Sequence, residues 1–438
     1  MNYTAARNLF QEAQELIDHK KYLDGLNILV KISSAFLYYK NPPFRKREIT
    51  HLAEICCRTL KQKNPRHKEA QVGYGVILRN EGKLSESIEV FDDVLAHEIH
   101  REALLEKACT YELMGDNPGA LNLLLMGLKA FPFEKMILNN LATLYEAQED
   151  WNLALNYYNL AIEVDQEGGV SHYNKGRLLF SLEQYKLAMH HFEMALGLYD
   201  AKDFRVIDVH IFLADTHFQL KHYQEAEKLY LNIIELFPRR GEGYQSISDF
   251  YYKIAKKSEA LNYINKAIEL SFPEMDCYYK KAYYLKDLNQ SGEALSTLFE
   301  ALNYFPNEVK LFDLMAEIYI SQGNYPAAIR TLHQRNDIEA DEETFYLLAE
   351  SYFNLDQYSD ALVWINRFIE IEKDYAEAYI LRAKINSVTG YYRLALDDLY
   401  DAFDLDNEDL YLQESDLYYF DRLGEIEEYQ QFLRKVKG

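Results

Sequence analysis

Alanine returns at a nearly fixed interval along this chain. It stands at Ala120, Ala154, Ala188, Ala226, Ala260, Ala294, Ala328, Ala361 and Ala395, with gaps of 34, 34, 38, 34, 34, 34, 33 and 34 residues. A second small residue precedes each by 12 positions: Ala108, Ala142, Gly176, Ala214, Ser248, Ala282, Ala316, Ala349 and Ala383. Ser87 with Gly75 extends the series one unit upstream. A period of this length marks a stack of small supersecondary units, because one unit alone would leave its apolar face in water. At 438 residues the chain is too long for one ordinary core, and a repeat array resolves that difficulty.

Other sites keep the same frame. Three residues before the alanine stands an aromatic ring in six units, at Trp151, Tyr185, Tyr223, Tyr325, Tyr358 and Tyr392. Four residues after it comes a large apolar group, such as Leu124, Tyr158, Phe192, Ile264, Leu298 or Ile365. Pro132, Pro238 and Pro306 close units, and Pro273 does so displaced by one. Two amphipathic helices cross closely only where their facing side chains are small, so each small pair predicts the contact inside a helix hairpin. The large group one turn along fills the space beside it, and proline stops the second helix. With only 18 glycines and 9 prolines there is little material for sheet turns, which points to helix throughout.

These residues resemble the tetratricopeptide-repeat (TPR) family. The family's small first-helix residue, its tyrosine three positions later (Tyr111, Tyr145, Tyr251, Tyr319, Tyr352), its second-helix small residues and its closing proline all occur. The resemblance covers about ten units and implies an all-α TPR superhelix, a right-handed solenoid of antiparallel helix pairs. The division expected is a basic helical extension over 1–66, the array over 67–404 and a capping hairpin over 405–438. In the extension, Tyr3–Lys20 and Tyr22–Tyr39 read as a hairpin, Asn41-Pro42-Pro43 as a break, and about Arg45 to Lys61 as a further helix. The gap of 38 places extra residues in Tyr199–Val206, and Arg335, where a small residue is expected, marks an irregular joint over Arg335–Glu343.

The resemblance also implies a function: binding a peptide or helix of another protein along the concave face lined by first helices. By register, the residue after each small first-helix site faces that groove: Asp215, Asp249, Tyr283, Glu317 and Glu350 in five consecutive units. Four acids in five sites point to a basic partner. Earlier in the groove, Asn140 and Asn174 occupy equivalent sites, where amides grip a peptide backbone, with Tyr173 and Arg177 on the same face. Tyr279 and Tyr346 add aromatic area beside Tyr283. The family's carboxylate clamp is missing, its sites holding Val72, Val76, Leu105 and Cys109 in early units and acids in later ones.

The charge distribution bounds the partners. Residues 1–70 carry 13 Lys and Arg against 7 Asp and Glu, a net of +6, while the remainder carries 34 against 63, a net of −29. A net charge of −23 argues against nucleic acid, whose phosphates need Lys and Arg. Two alternatives stand beside the scaffold: a regulator that changes shape on binding a signalling peptide, and a homo-oligomer in which one chain's basic head meets another's acidic body. No metal or cofactor is expected. His97 and His100 are three apart, His190 and His191 adjacent, and no HExxH, GxxxxGK[ST] or GxSxG occurs, so an enzyme finds no support. Cys56, Cys57, Cys109 and Cys277 form no disulfide framework, and no signal sequence or membrane span is expected, which together read as a cytoplasmic protein.

Overall fold

The structure, a computed structural model, describes residues 3–35, 46–64, 67–200, 203, 205–270, 274–405, 418–425 and 427–436. Every element among them is a helix. They gather into two compact bodies, 1–229 and 230–438, treated separately below.

The first body opens with α1 (Tyr3–Asp18) and α2 (Tyr22–Ala35), which pack as a hairpin, and α3 (Lys46–Lys63), which lies against α2. The hairpins α4 (Lys68–Asn80) with α5 (Leu84–Leu95), α6 (Arg101–Leu113) with α7 (Asn117–Ala130), α8 (Lys135–Ala147) with α9 (Trp151–Val164), and α10 (Gly169–Ser181) with α11 (Tyr185–Leu198) follow. Helix α12 (Arg205–Gln219) packs on α11, and the boundary between the bodies falls within α13 (Tyr223–Leu236).

The second body continues with α14 (Gly241–Lys253) and α15 (Lys257–Leu270), α16 (Met275–Asp287) and α17 (Ser291–Tyr304), α18 (Val309–Ser321) and α19 (Tyr325–Ile338), α20 (Glu342–Phe353) and α21 (Tyr358–Ile371), and α22 (Ala376–Val388) and α23 (Tyr392–Leu405). A 3-10 helix, η1 (Tyr418–Glu425), then packs on α22, and α24 (Glu427–Val436) on α23. Phe420, Leu423, Tyr429 and Phe432 bury their side chains in the last hairpin's core. Leu410 and Leu417, within the hairpin expected over 405–438, lie outside the described residues. Pro42, Pro43, Arg45, Arg66 and Pro273 also lie outside them.

The helices form where the periodic pattern places them, for a steric reason. All nine alanines of the 34-residue series are fully buried, and so are their partners 12 residues upstream. Where the upstream partner is Ser248, its hydroxyl donates to the Ala260 carbonyl at 2.7 Å, and Ser87 donates to the Gly75 carbonyl at 2.8 Å. A buried hydroxyl in the contact therefore meets its hydrogen-bonding needs across the hairpin. Where the large residue four positions on is phenylalanine, the partner is glycine. A Cβ on Gly75 would stand 2.6 Å from the Phe91 ring, and one on Gly176 would stand 2.6 Å from the Phe192 ring.

The hairpin turn repeats as well. The residue five before the small second-helix site always has positive φ: Gly82, Gly115, Glu149, Glu183, Lys221, Ala255, Asn289, Gly323, Asp356 and Gly390, and Lys20 in the first hairpin. The next backbone N–H closes the first helix by bonding five residues back, as Asp150 N–H does to the Tyr145 carbonyl at 2.9 Å and Asn324 N–H to that of Tyr319 at 2.9 Å. This is the left-handed helix stop. Asp116, Asp150 and Asn324 then cap the second helix with their side-chain oxygens.

Arg335 is the buried residue of the irregular joint. Its Nε donates to Asp313 at 3.0 Å and its Nη1 to the Glu339 carbonyl at 2.6 Å, and it pairs with Asp341. The guanidinium ties α18, the end of α19 and the cap of α20 together where a small residue would leave space.

Candidate functional site

Within each body, first helices of consecutive hairpins approach one another directly: α8 to α10 to α12 in the first, α16 to α18 and α20 to α22 in the second. Six of the polar side-chain contacts along this seam fall at two spacings. Three ion pairs join residues 31 apart: Arg177 to Glu146 at 3.4 Å, Lys280 to Asp249 at 2.6 Å and Lys286 to Glu317 at 2.6 Å. Three hydrogen bonds join residues 35 apart: Asn174 to Asn139 at 3.4 Å, Tyr284 to Asp249 at 2.8 Å and Tyr252 to Asp287. Against a 34-residue repeat these are offsets of three back and one forward, which are four apart and so lie one turn apart on the neighbouring helix.

In the first body, Asn174 is half-buried on α10 and donates its amide to Asn139, not to Asn140. Asn139 also donates to the Ser171 hydroxyl at 2.8 Å and to the Lys135 carbonyl at 2.8 Å. Asn140 sits one residue further round α8, half-buried, so equivalence by register does not bring the two predicted amides together. Arg177 reaches Glu146, whose other oxygen accepts from the Tyr158 hydroxyl at 2.9 Å. Tyr173 lies among Phe192 and Phe212, ring centroids 6.3 and 5.8 Å away. Burial, with Asp208 adding to it, pushes its phenol up to about 12. Most of this ring is spent on packing. Asp215 is half-buried on α12.

In the second body, Asp249 takes two donors from α16, Lys280 and the Tyr284 hydroxyl. Tyr279 and Tyr283 stack one turn apart, centroids 6.3 Å and planes 15° from parallel. The Lys286 ammonium lies 4.7 Å from the Tyr283 ring centroid and also holds Glu317. Burial raises the Tyr279 phenol, and the nearby Glu317 carboxylate raises it further. Tyr346 packs edge-on against Tyr375 at 5.6 Å and beside Phe368 at 5.4 Å. Glu350 is half-buried on α20, its carboxyl raised by burial against the opposing pull of Lys384.

Sequence reasoning missed the lysines. Lys280, Lys286 and Tyr284 complete the acidic sites, and a search at spacings of 31 and 35 finds all of them. Cys56, Cys57 and Cys277 are buried, and burial pushes the half-buried Cys109 thiol up to about 11. Among the described residues no three His, Cys, Asp or Glu side chains gather to hold a metal, and no helix is long and apolar enough to cross a membrane.

Comparison with known proteins matches the same frame. Residues 137–169, and then 170–201, 207–240 and 241–273, match models of the tetratricopeptide repeat. Residues 303–368 match the family model of anaphase-promoting complex, cyclosome, subunit 3. A TPR repeat-containing protein of Methanocaldococcus jannaschii is 22% identical over 353 residues, covering 73% of this chain. The match spans 61% of that relative's own length. A tetratricopeptide repeat protein from Parabacteroides merdae is similar in structure, with a TM-score of 0.45 and 21% identity, over 58% of this chain and 98% of that one. PilF of Pseudomonas aeruginosa gives a TM-score of 0.40 and 18% identity, over 50% of this chain and 97% of its own. The repeat models fall on the hairpins whose small residues, turns and seams recur in phase, and the chain is a tetratricopeptide-repeat protein.

Proposed function

We propose that this chain is a protein-binding scaffold or adaptor, acting in the cytoplasm, whose first-helix faces hold an extended peptide or a helix of a partner protein. On the second body the occupant is a basic segment. The observation that carries this reading is that the seam already binds a cation of its own. Lys286 lies over the Tyr283 ring and on the Glu317 carboxylate at once. An arginine of a partner would find the same two partners there, an aromatic face and an acid, and Tyr279 extends the aromatic surface by one ring. On the first body, Asn140, Asn174 and Arg177 offer amide and guanidinium groups suited to a peptide main chain.

The internal lysine makes the reading testable in an unusual direction. Glu317→Lys together with Glu350→Lys should weaken binding of an arginine-rich peptide by tenfold or more, on the order of 1.4 kcal/mol. Lys286→Ala should instead tighten it, because the competitor is gone while Tyr283 and Glu317 remain. Titration calorimetry at two salt concentrations separates the two effects. A Lys286→Ala variant that binds more weakly, or a Glu317/Glu350 reversal that changes nothing, contradicts the assignment.

A further inference from the structure

The repeat supplies its own internal control for the backs of the second helices. Counting from the buried alanine, the residues one before, two after and six after it lie on one outward face. In α7, α9 and α11 none of these nine sites is charged. Leu153, Leu160, Leu187, Met126 and Met194 are each more than a third exposed there, Leu187 at 54%. The central sites are Asn122, Asn156 and His190, all exposed, and Gly119 completes the set.

Every other second helix carries charge at the same sites. On one side of the window, α5 has Glu86, Glu89 and Asp93; beyond α11, α13 has Glu225 and Lys228. The second body repeats the contrast with Glu259 and Lys266 of α15, Glu293 and Glu300 of α17, and Asp360 and Arg367 of α21. Arg330 of α19 and Asp397 with Asp401 of α23 complete it. Single exposed apolar side chains occur on the charged backs too, Val363 at 50% and Leu394 at 53%, whereas five on three consecutive second helices form a patch of the kind that marks a contact surface.

We infer that the backs of α7, α9 and α11 are the interface of a homodimer. Three features favour a second copy as the occupant. The chain carries a net charge of −23, so two copies repel except where a face carries no net charge; the only charged residues of α7, α9 and α11 are Lys129, Lys186, Glu163 and Glu193, which balance, and the window is bounded by charge on both sides. Its size is adequate: three helices of 14 residues, each about 21 Å long and about 11 Å wide, present roughly 700 Å², against about 800 Å² per partner in a stable complex. Its symmetry fits as well. Ala120, Ala154 and Ala188 are spaced by 34 and 34, so α7 and α11 flank α9 equally. A two-fold axis through α9 sets Leu160 near Leu160 and α7 of one copy on α11 of the other, the self-complementary arrangement of a two-fold dimer.

The test is the mass of the full-length protein in solution at micromolar concentration, by light scattering after gel filtration. The wild type should be a dimer that persists in 1 M salt, since screening relieves repulsion and leaves the apolar contact, with a Debye length of about 3 Å. Leu160→Glu and Met194→Glu should each give a monomer with an unchanged helical circular-dichroism spectrum, while Val363→Glu on α21 should not. A monomeric wild type, or a dimer indifferent to both window substitutions, overturns the proposal. Should a glutamate variant fail to fold, Asn156→Cys decides. A short bis-maleimide should link two copies through this site and not through Asn262→Cys on α15; no link, or equal links from both, overturns it.

Discussion

At Gly176 and Gly75 the helix contact is closed by a phenylalanine ring, and no Cβ fits. Gly176→Ala should destabilise the protein by about 1–3 kcal/mol through overpacking. Phe192→Leu in the same chain should recover part of that loss, because Ala108 already faces Leu124 in the equivalent unit, both fully buried. Additive effects in urea denaturation would contradict the pairing. At the hairpin turns the sign reverses. Ala255 holds φ at 62°, a conformation that costs an L-residue about 1–2 kcal/mol, so Ala255→Gly should stabilise by about 0.5–1 kcal/mol despite the added freedom of the unfolded chain. The positive-φ site was not legible in the sequence, because seven of its eleven occupants are not glycine. The stop is held by the following N–H bonding five residues back, a backbone bond that leaves no mark on side-chain composition.

A histidine pair gives the residue scale its pH dependence. The Nδ1 atoms of His172 and His191 lie 3.0 Å apart, and burial, then Lys175, His172 and His190, lowers His191 from the ordinary 6.5 to about 4. The imidazole is therefore neutral in the folded protein over a range where the unfolded chain takes up a proton. Its contribution to stability is intact above about pH 6.5 and is lost as pH falls toward 4. His191→Gln should flatten the decline of Tm across that window relative to wild type. Equal slopes in the two proteins would show that the pair does not govern it.

At the scale of elements, the hairpins were legible because a small-small contact leaves a spacing, 12 within a unit and about 34 between units, that recurs in phase along the chain. The seam was half legible. Residues on the first-helix face were identified by register, but register names equivalent sites, and equivalent sites do not touch. Contact falls at 31 and 35, as for Asn139 with Asn174 and Lys286 with Glu317. Arg335 illustrates the opposite case, an exception visible in the sequence whose cause needed the structure. Arg335→Ala should cost about 1–3 kcal/mol, since it removes the bonds to Asp313 and the Glu339 carbonyl and empties a buried volume, while water reaches Asp313 and Asp341 still accepts from the Thr344 N–H. Arg335→Lys should restore little of this, because one ammonium cannot reproduce the fork to two carboxylates and the Glu339 carbonyl. Thermal denaturation of the two variants checks both statements.

For the whole molecule, the sequence shows a basic head and an acidic body, and part of that opposition is spent locally. Lys61 pairs with Asp93 at 3.1 Å, and Lys68 pairs with Glu98, both within the first body. Acids on the seam are likewise met by lysines, so the face offered to a partner is patterned rather than uniformly negative. A basic segment would bind there by exchange, replacing one cation with another, with modest salt dependence for each site. The most direct test of the scaffold reading is site-specific photo-crosslinking in the native cell, with the photoreactive residue placed at Tyr283 on a first-helix face or at Val363 on a second-helix back. The account predicts a partner protein captured from Tyr283 and lost with Glu317→Lys. Capture from Val363 alone, with none from Tyr283, would contradict it.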